Sequence, residues 1–195
     1  AQAHVLAGAQ DDAQRGAALQ ALEQGVQRAS HQVNQLLTLA ALEHADSSPT
    51  IETDLVALAQ DVLIELEPLT HDRQVELVLR SPDHLTHPVD VQALRSVLVN
   101  LVRNAIQHGA TGGTVTVALD RSAGAIRLAV SDDGPGIPVA ERERVFDRFY
   151  RAEGTSAPGS GLGLAIVQRA AQRLQARIRI EDGPQGRGVT VLLHF

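Results

Sequence analysis

Residues Val97 to Gly109 read VLVNLVRNAIQHG, and the fold is decided here. Val97, Leu98, Leu101, Val102, Ala105 and Ile106 recur at helical spacing and predict a helix with a broad apolar face. Asn100, Asn104 and Gln107 stand at i, i+4 and i+7, so they share one stripe of that helix, with His108 at its border. Asn is a mediocre helix former and is costly to bury without partners. Two in register within an apolar helix suggest that something polar docks there. The alternative is an ordinary amphipathic helix with its polar face in water, and these residues alone leave both open.

Working outward, the neighbouring segments change period. Val75, Leu77 and Leu79 alternate as a strand does, and so do Val115 with Val117, Ile126 with Leu128 and Val130, and Ile178 with Ile180. Val189 to Phe195 reads as a last strand, preceded by a helix over Leu162 to Leu174. Upstream, Leu55, Leu58, Val62, Leu66 and Leu69 mark another amphipathic helix, with Thr53 or Asp54 as its cap. Helices interleaved with mostly hairpin-linked strands predict an α+β domain, a two-layer sandwich with a mixed sheet on one side and helices on the other. There is no internal repeat.

Before this domain the texture differs. Leu19, Leu22, Val26, Ala29, Val33, Leu36 and Ala40 alternate three and four apart, the pattern of a helical seam. Val5 and Leu6 precede a Gly8 to Asp12 break, which predicts a short helix end turning into the long one. Such a seam is covered by another helix of a bundle, by a second subunit, or by the following domain. Asp46-Ser-Ser-Pro49 reads as a linker. The division expected is therefore 1–48 and 49–195.

Composition excludes several chemistries. Net charge is −6 with no basic stripe, which disfavours a nucleic-acid partner. There is no Cys, so disulfides, Cys-ligated zinc and thiol catalysis are out. All 17 basic residues are Arg, which excludes a Walker-type phosphate loop and Schiff-base chemistry. No apolar run approaches spanning length and no signal peptide is visible, so no membrane contact is expected. The chain begins at Ala1, without an initiator Met, and is expected to be a fragment or a processed product.

Two glycine motifs follow. Ser131 to Pro138, SDDGPGIP, leaves Asp132 at the end of a strand, where a carboxylate can accept from a ligand amino group. Gly134 and Gly136 permit positive φ and close approach, although Asp-Gly and Gly-Pro are also ordinary turns. Gly159 to Leu164, GSGLGL, opens a helix, and exposed amides at a helix N-terminus suit phosphate. It is no dinucleotide fingerprint, because the spacing is G-x-G-x-G and a Pro/Ser/Thr-rich loop precedes it instead of a strand. Between the motifs, Phe146 and Phe149 of VFDRFYR are expected to pack in the core, and Ala152 to Pro158 to form a mobile lid.

These motifs together resemble the N, G1, F and G2 boxes of the catalytic, ATP-binding domain of two-component sensor histidine kinases. They are Asn100-Leu-Val-Arg-Asn104-Ala, Asp132-Asp-Gly-Pro-Gly136, Phe146-Asp-Arg-Phe149-Tyr-Arg151 and Gly159-Ser-Gly-Leu-Gly163-Leu, in the family's order. The resemblance covers about Ile51 to the end and implies the Bergerat-type ATP-binding fold. The long helix before it resembles the second helix of that family's dimerisation and histidine-phosphotransfer bundle, a remnant of a helical hairpin.

The resemblance implies ATP and Mg²⁺ as cofactors and transfer of the γ-phosphate to a His on a dimerisation helix, for relay to a response-regulator Asp. Asn104 would coordinate Mg²⁺ with Asn100 close by, and Gln107 and His108 would border the same site. Asp132 would read the adenine amino group, with Gly134, Gly136 and Ile137 lining the pocket. Tyr150 and Arg151 would stand at the base of the ATP lid, Arg151 near the phosphates as a catalytic residue beside Asn104. Gly159, Ser160, Gly161, Leu162, Gly163 and Leu164 would shape the lid hinge and meet the phosphates. Gly186-Arg-Gly-Val-Thr190 resembles the last glycine box, so Thr190 would back the adenine. It further implies a homodimer through the bundle, a cognate response regulator, and a cytoplasmic place below an inner-membrane sensor.

The chain departs from the family in two ways. A cation usually stands where Gln107 does, and often Tyr where His108 does; Gln can donate to phosphate but brings no charge. None of the eight His has the context of the phospho-accepting one, so the acceptor segment is expected to be missing and His4 to fall downstream of it. His31 and His44 read as surface or seam residues. His84 and His87 with Asp83 and Asp90 read as solvated loop residues, a metal site being the alternative. In hydrolysing relatives of the fold a Glu occupies the position of Asn100, and an amide cannot act as general base. Slow or absent intrinsic hydrolysis is therefore expected. The competing readings are a non-catalytic nucleotide-binding, dimer-regulating module, and an anti-sigma-type serine kinase, against which the seam of the long helix counts.

Overall fold

The structure is a computed structural model that describes residues 12–44, 49–122, 124–151 and 159–195. These fall into two compact units that divide between Leu37 and Thr38. The first is the body of helix α1, which runs Asp12–His44. Of its predicted seam, Leu19, Val26, Val33 and Leu36 are exposed at 48, 57, 54 and 47%. Residues 1–11 and the linker residues 46–48 lie outside the described residues, as do the side chains of His31 and His44.

The second unit takes in the last turns of α1, whose Leu39 and Leu42 join its core. Next come β1 (Ile51–Asp54) and α2 (Leu55–Leu66). Asp54 is the cap of α2, its Oδ1 accepting from Val56 N at 3.0 Å. Pro68 has no N–H to donate to an α-helix, and a 3₁₀ turn, Glu67–Arg73, carries the chain on. Leu69, expected on the buried face, is thereby turned out and is 40% exposed.

Strands β2 (Glu76–Arg80) and β3 (Thr86–Val89) lead into α3, Val91–His108. Helix α3 starts at Val91, ahead of the Val97 at which its apolar pattern is read, because Asp90 caps it, Oδ1 accepting from Ala93 N at 3.0 Å. Strands β4 (Thr114–Ser122) and β5 (Ala125–Ser131) follow, then α4 (Gly163–Arg173), β6 (Arg177–Asp182) and β7 (Val189–His194).

The five-stranded sheet has the order β2-β4-β5-β7-β6. Only β2 and β4 run parallel, so the sheet is mixed as expected. One face alternates into the core through Val115, Val117, Leu119, Ile126, Leu128, Val130, Val191 and Leu193, against residues of α2, α3 and α4. Leu98, Ile106, Leu128, Ile166 and Leu193 are each under 2% exposed; burying such a side chain is worth about 1.5–3 kcal/mol. Strands β1 and β3 pair separately as a small antiparallel sheet. An ion pair between half-buried Arg173 and buried Asp90 joins the end of α4 to the start of α3, Arg173 Nη2 to Asp90 Oδ2 at 2.7 Å.

Candidate functional site

Asp90 thus serves as a cap and an ion-pair partner. His84 lies 2.8 Å from Asp54 Oδ2, and the His87 ring packs 5.9 Å from that of Phe195. Among the described residues no group of three or more His, Cys, Asp or Glu could hold a metal ion.

The polar stripe of α3 runs from a buried Asn100 through half-buried Asn104 and Gln107 to an exposed His108. Asn100 Nδ2 donates to Ser96 O at 2.8 Å. That leaves its Oδ1 toward the first residue of α4. A Cβ on Gly163 would lie 3.2 Å from Asn104 Oδ1 and 3.4 Å from Asn100 Oδ1. The N-terminus of α4 is therefore set against both amides, and glycine keeps the gap open. The amides at the start of α4 suit phosphate oxygens, and the amide oxygens of Asn100 and Asn104 beside that start suit a small hard cation.

At the other end, Asp132 follows β5 and is 5% exposed. Its Oδ1 accepts from Gly134 N at 2.9 Å, and its own N donates to Val189 O at 3.0 Å. Burial pushes the carboxyl above the usual range, the amides of Gly134 and Val189 oppose this, and Asp133 adds to it. Gly134 packs on the end of α3, where a Cβ would come within 2.5 Å of His108 O. Gly136 and Gly188 both take positive φ, +81 and +72, and a Cβ on Gly188 would meet Asp132 O at 1.9 Å. Thr190 faces Ser131 across the β5–β7 ladder, their hydroxyls 2.9 Å apart, and so lies beside Asp132.

Between these ends runs the segment after Gly136. Ile137 is half-buried, and its carbonyl accepts from Arg142 Nε at 3.0 Å. Tyr150 is half-buried, with the Arg144 guanidinium 4.6 Å from its ring centroid. Arg151 is exposed and lies near His108; although that residue reaches solvent, protein crowded around its ring desolvates it, and this, then the charges of Arg73 and Arg151, holds the imidazole below the usual His range. Phe146 is half-buried, but Phe149 is 65% exposed at φ +63, contrary to the core role expected of it. The cause is a tight joint: Phe149 N donates to Gly161 O at 3.0 Å, and Gly161, itself at φ +71, rides on the Phe149 backbone. Both residues turn left-handed there and the ring points away from the core. Ser160 Oγ accepts from Leu162 N at 3.1 Å; Leu162 is buried, Leu164 half-buried and Gly159 exposed. The expected lid, Ala152 to Pro158, lies outside the described residues.

The residues from Val89 to Phe195, which hold both ends of this site, match the family model described as histidine kinase-, DNA gyrase B- and HSP90-like ATPase. The chain belongs to this ATPase family. Within it, the swarming motility regulation sensor protein RssA of Serratia marcescens is 32% identical over 196 residues, 99% of this chain and 42% of RssA. Full-length ShkA, solved in complex with AMPPNP, superposes with a TM-score of 0.77 and 26% identity over 97% of this chain and 40% of its own. The mycobacterial sensor histidine kinase MprB gives a TM-score of 0.66 and 28% identity over 75% of this chain and 96% of its own. The chain spans less than half the length of the curated relatives it matches. It is homologous to the ATP-binding core of sensor histidine kinases.

Sequence reading overlooked two residues of this ATPase-family site. Asp133 accepts from Ala110 N at 3.3 Å and Thr114 N at 3.0 Å, tying the turn after α3 to the Asp132 loop. Its signal was present, since a Cβ on Gly113 would collide with that carboxylate, but only the tertiary pairing reveals it. Arg73 reaches the end of α3 from a segment with no motif at all.

Proposed function

We propose that the chain is the ATP-binding kinase core of a two-component sensor histidine kinase, with 1–48 from the dimerisation and phosphotransfer bundle and 49–195 the catalytic domain. The observation that carries this is the meeting of Asn104 and Asn100 with the glycine-opened start of α4, at a distance from a buried acceptor, Asp132. Asp132 accepts from the adenine amino group, backed by Thr190. Asn104, with Asn100 beside it, holds Mg²⁺, whose chemistry is to neutralise charge on the phosphate oxygens. The amides of Gly161, Gly163 and Leu164 and the Arg151 guanidinium orient the γ-phosphate. A His nitrogen on a bundle helix then attacks phosphorus as the bond to the β-phosphate oxygen breaks and ADP leaves. Asn100 offers no base to activate water, which favours a protein acceptor over hydrolysis.

The exposed apolar positions of α1 support a second copy as the bundle partner. No helix among the described residues is long and apolar enough to cross a membrane. A response regulator as the phosphoryl acceptor, and a cytoplasmic place below a membrane sensor, complete the proposal.

The test is calorimetric titration of Mg²⁺ and a non-hydrolysable ATP analogue into wild type and Asp132→Ala. Wild type is expected to bind and the variant to bind about 100-fold more weakly, the worth of a charge-assisted hydrogen bond. Asn104→Ala is expected to abolish Mg²⁺-dependent phosphotransfer to a supplied bundle domain. Absence of binding by folded wild type would hand the assignment to a non-catalytic module acting through dimer contacts.

A further inference from the structure

We infer that Arg73, outside every asparagine or glycine motif, is a positioning residue for the nucleotide: its guanidinium fixes the Gln107–Gly109 turn that walls the pocket beside Asp132. The inference rests on the nucleotide-binding reading above. Arg73 closes the 3₁₀ turn after α2 and is half-buried. Its Nη1 donates to Gln107 O and its Nη2 to Gly109 O at 2.9 Å. Its own carbonyl accepts from Gly112 N at 2.9 Å. One residue therefore holds both the last carbonyls of α3 and the turn beyond them.

The chemistry suits the place. The last turn of a helix leaves carbonyls without intrahelical partners and a partial negative charge, which a cation satisfies. A guanidinium presents two parallel donors in a rigid plane and can span two carbonyls; an ammonium is a point donor and cannot hold that pair in one geometry. From the opposite side, Asp133 holds the amides of Ala110 and Thr114. The turn is thus gripped by its carbonyls through Arg73 and by its amides through Asp133.

What the grip positions is set by the absence of slack. A Cβ on Gly134 would lie 2.5 Å from His108 O, 3.0 Å from Gly109 Cα and 3.0 Å from Asp132 Oδ1. A Cβ on Gly109 would lie 3.5 Å from Asp132 Cβ. Any shift of residues 107–109 is passed through these contacts to the Asp132 carboxylate. A misplaced wall weakens binding whether or not the metal end is intact, because Asn104 lies a turn back along α3 and its amide faces Gly163.

The experiment measures ADP affinity of the 195-residue chain by calorimetry, with and without Mg²⁺, for wild type, Arg73→Ala and Arg73→Lys. Arg73→Ala is expected to lose about ten-fold, equally in both conditions, and Arg73→Lys a smaller part of that. Millimolar methylguanidinium should restore much of the Arg73→Ala loss, and with a supplied bundle domain KM for ATP should rise while kcat holds. An affinity within two-fold of wild type in a folded Arg73→Ala protein overturns the inference, as does a loss confined to the Mg²⁺ condition. If Arg73→Ala does not fold, Arg73→Lys carries the test, and wild-type affinity in it overturns the inference. Failure of wild type itself to bind ADP removes the nucleotide reading; failure confined to the variants touches Arg73 alone.

Discussion

The Asp132 end of the site and the Asn104 end are held in place by different means. Asp132 is buried, hydrogen-bonded by backbone, and boxed in by Gly134, Gly183 and Gly188 so closely that a Cβ at any of the three would press on it. Asn104 is half-buried, and the contacts across from it are to the open start of α4, with Gln107 bringing no charge. The first arrangement is preorganised for one neutral, planar, hydrogen-bonding ligand edge. The second is a set of neutral dipoles and one nearby guanidinium, suited to a charge that arrives with its own counter-ion. Affinity is therefore expected to rest on the Asp132 end and chemistry on the Asn104 end.

The largest test of that contrast is pH. The folded Asp132 carboxyl is raised by burial, so any stability it contributes is present below its unfolded value and lost as pH rises through its folded one. The ionised form is the stronger acceptor for an adenine amino group, because protonation leaves the carboxyl only its carbonyl oxygen as a good acceptor. Nucleotide affinity should therefore climb as pH rises through the raised value and then level, the protonated protein binding more weakly than the ionised one. Calorimetry across acidic to neutral pH checks this, and a profile unchanged in Asp132→Asn would break the contrast.

Next comes Gly163→Ala. The new methyl presses on the ends of two flexible amides, so the melting temperature should hardly move, and replacing glycine in a helix offsets part of any loss. Affinity for the Mg²⁺ nucleotide should fall about ten-fold through displaced ligand oxygens, with adenosine binding unchanged. Equal losses for both ligands would merge the two ends into one.

The smallest effect expected is a gain. Gln107→Arg adds a cation beside the phosphates and should tighten an ATP analogue by about three-fold at low salt, with the advantage fading as salt is added. Adenosine binding should not respond. A gain for adenosine as well would place Gln107 at the Asp132 end.

Much of this was legible from residues. The apolar period of α3, with Asn100 and Asn104 on one stripe, marked both the helix and its polar guest. Alternation located β4 to β7, and Asp54 stood where a cap belongs. Strands β1 and β3 were not legible: each has four residues, and β3 carries Pro88, so neither has a pattern long enough to stand out. Phe149 misled because an aromatic at helical spacing from Phe146 reads as core. Its left-handed backbone is set by Gly161, twelve residues on, and by no local preference of its own.

Which residues could bear the chemistry is legible from the chain alone, because side-chain type and local period are properties of short segments: α3 must present its amides on one face, and the glycine motifs must turn. What those groups face is set by the packing of the whole domain. Gly163 meets Asn104, Gly188 seals Asp132, and Arg73 clasps the end of α3, each across a long stretch of chain. Such meetings are fixed when the sheet and helices bury their apolar faces together, a cooperative outcome that no single segment encodes.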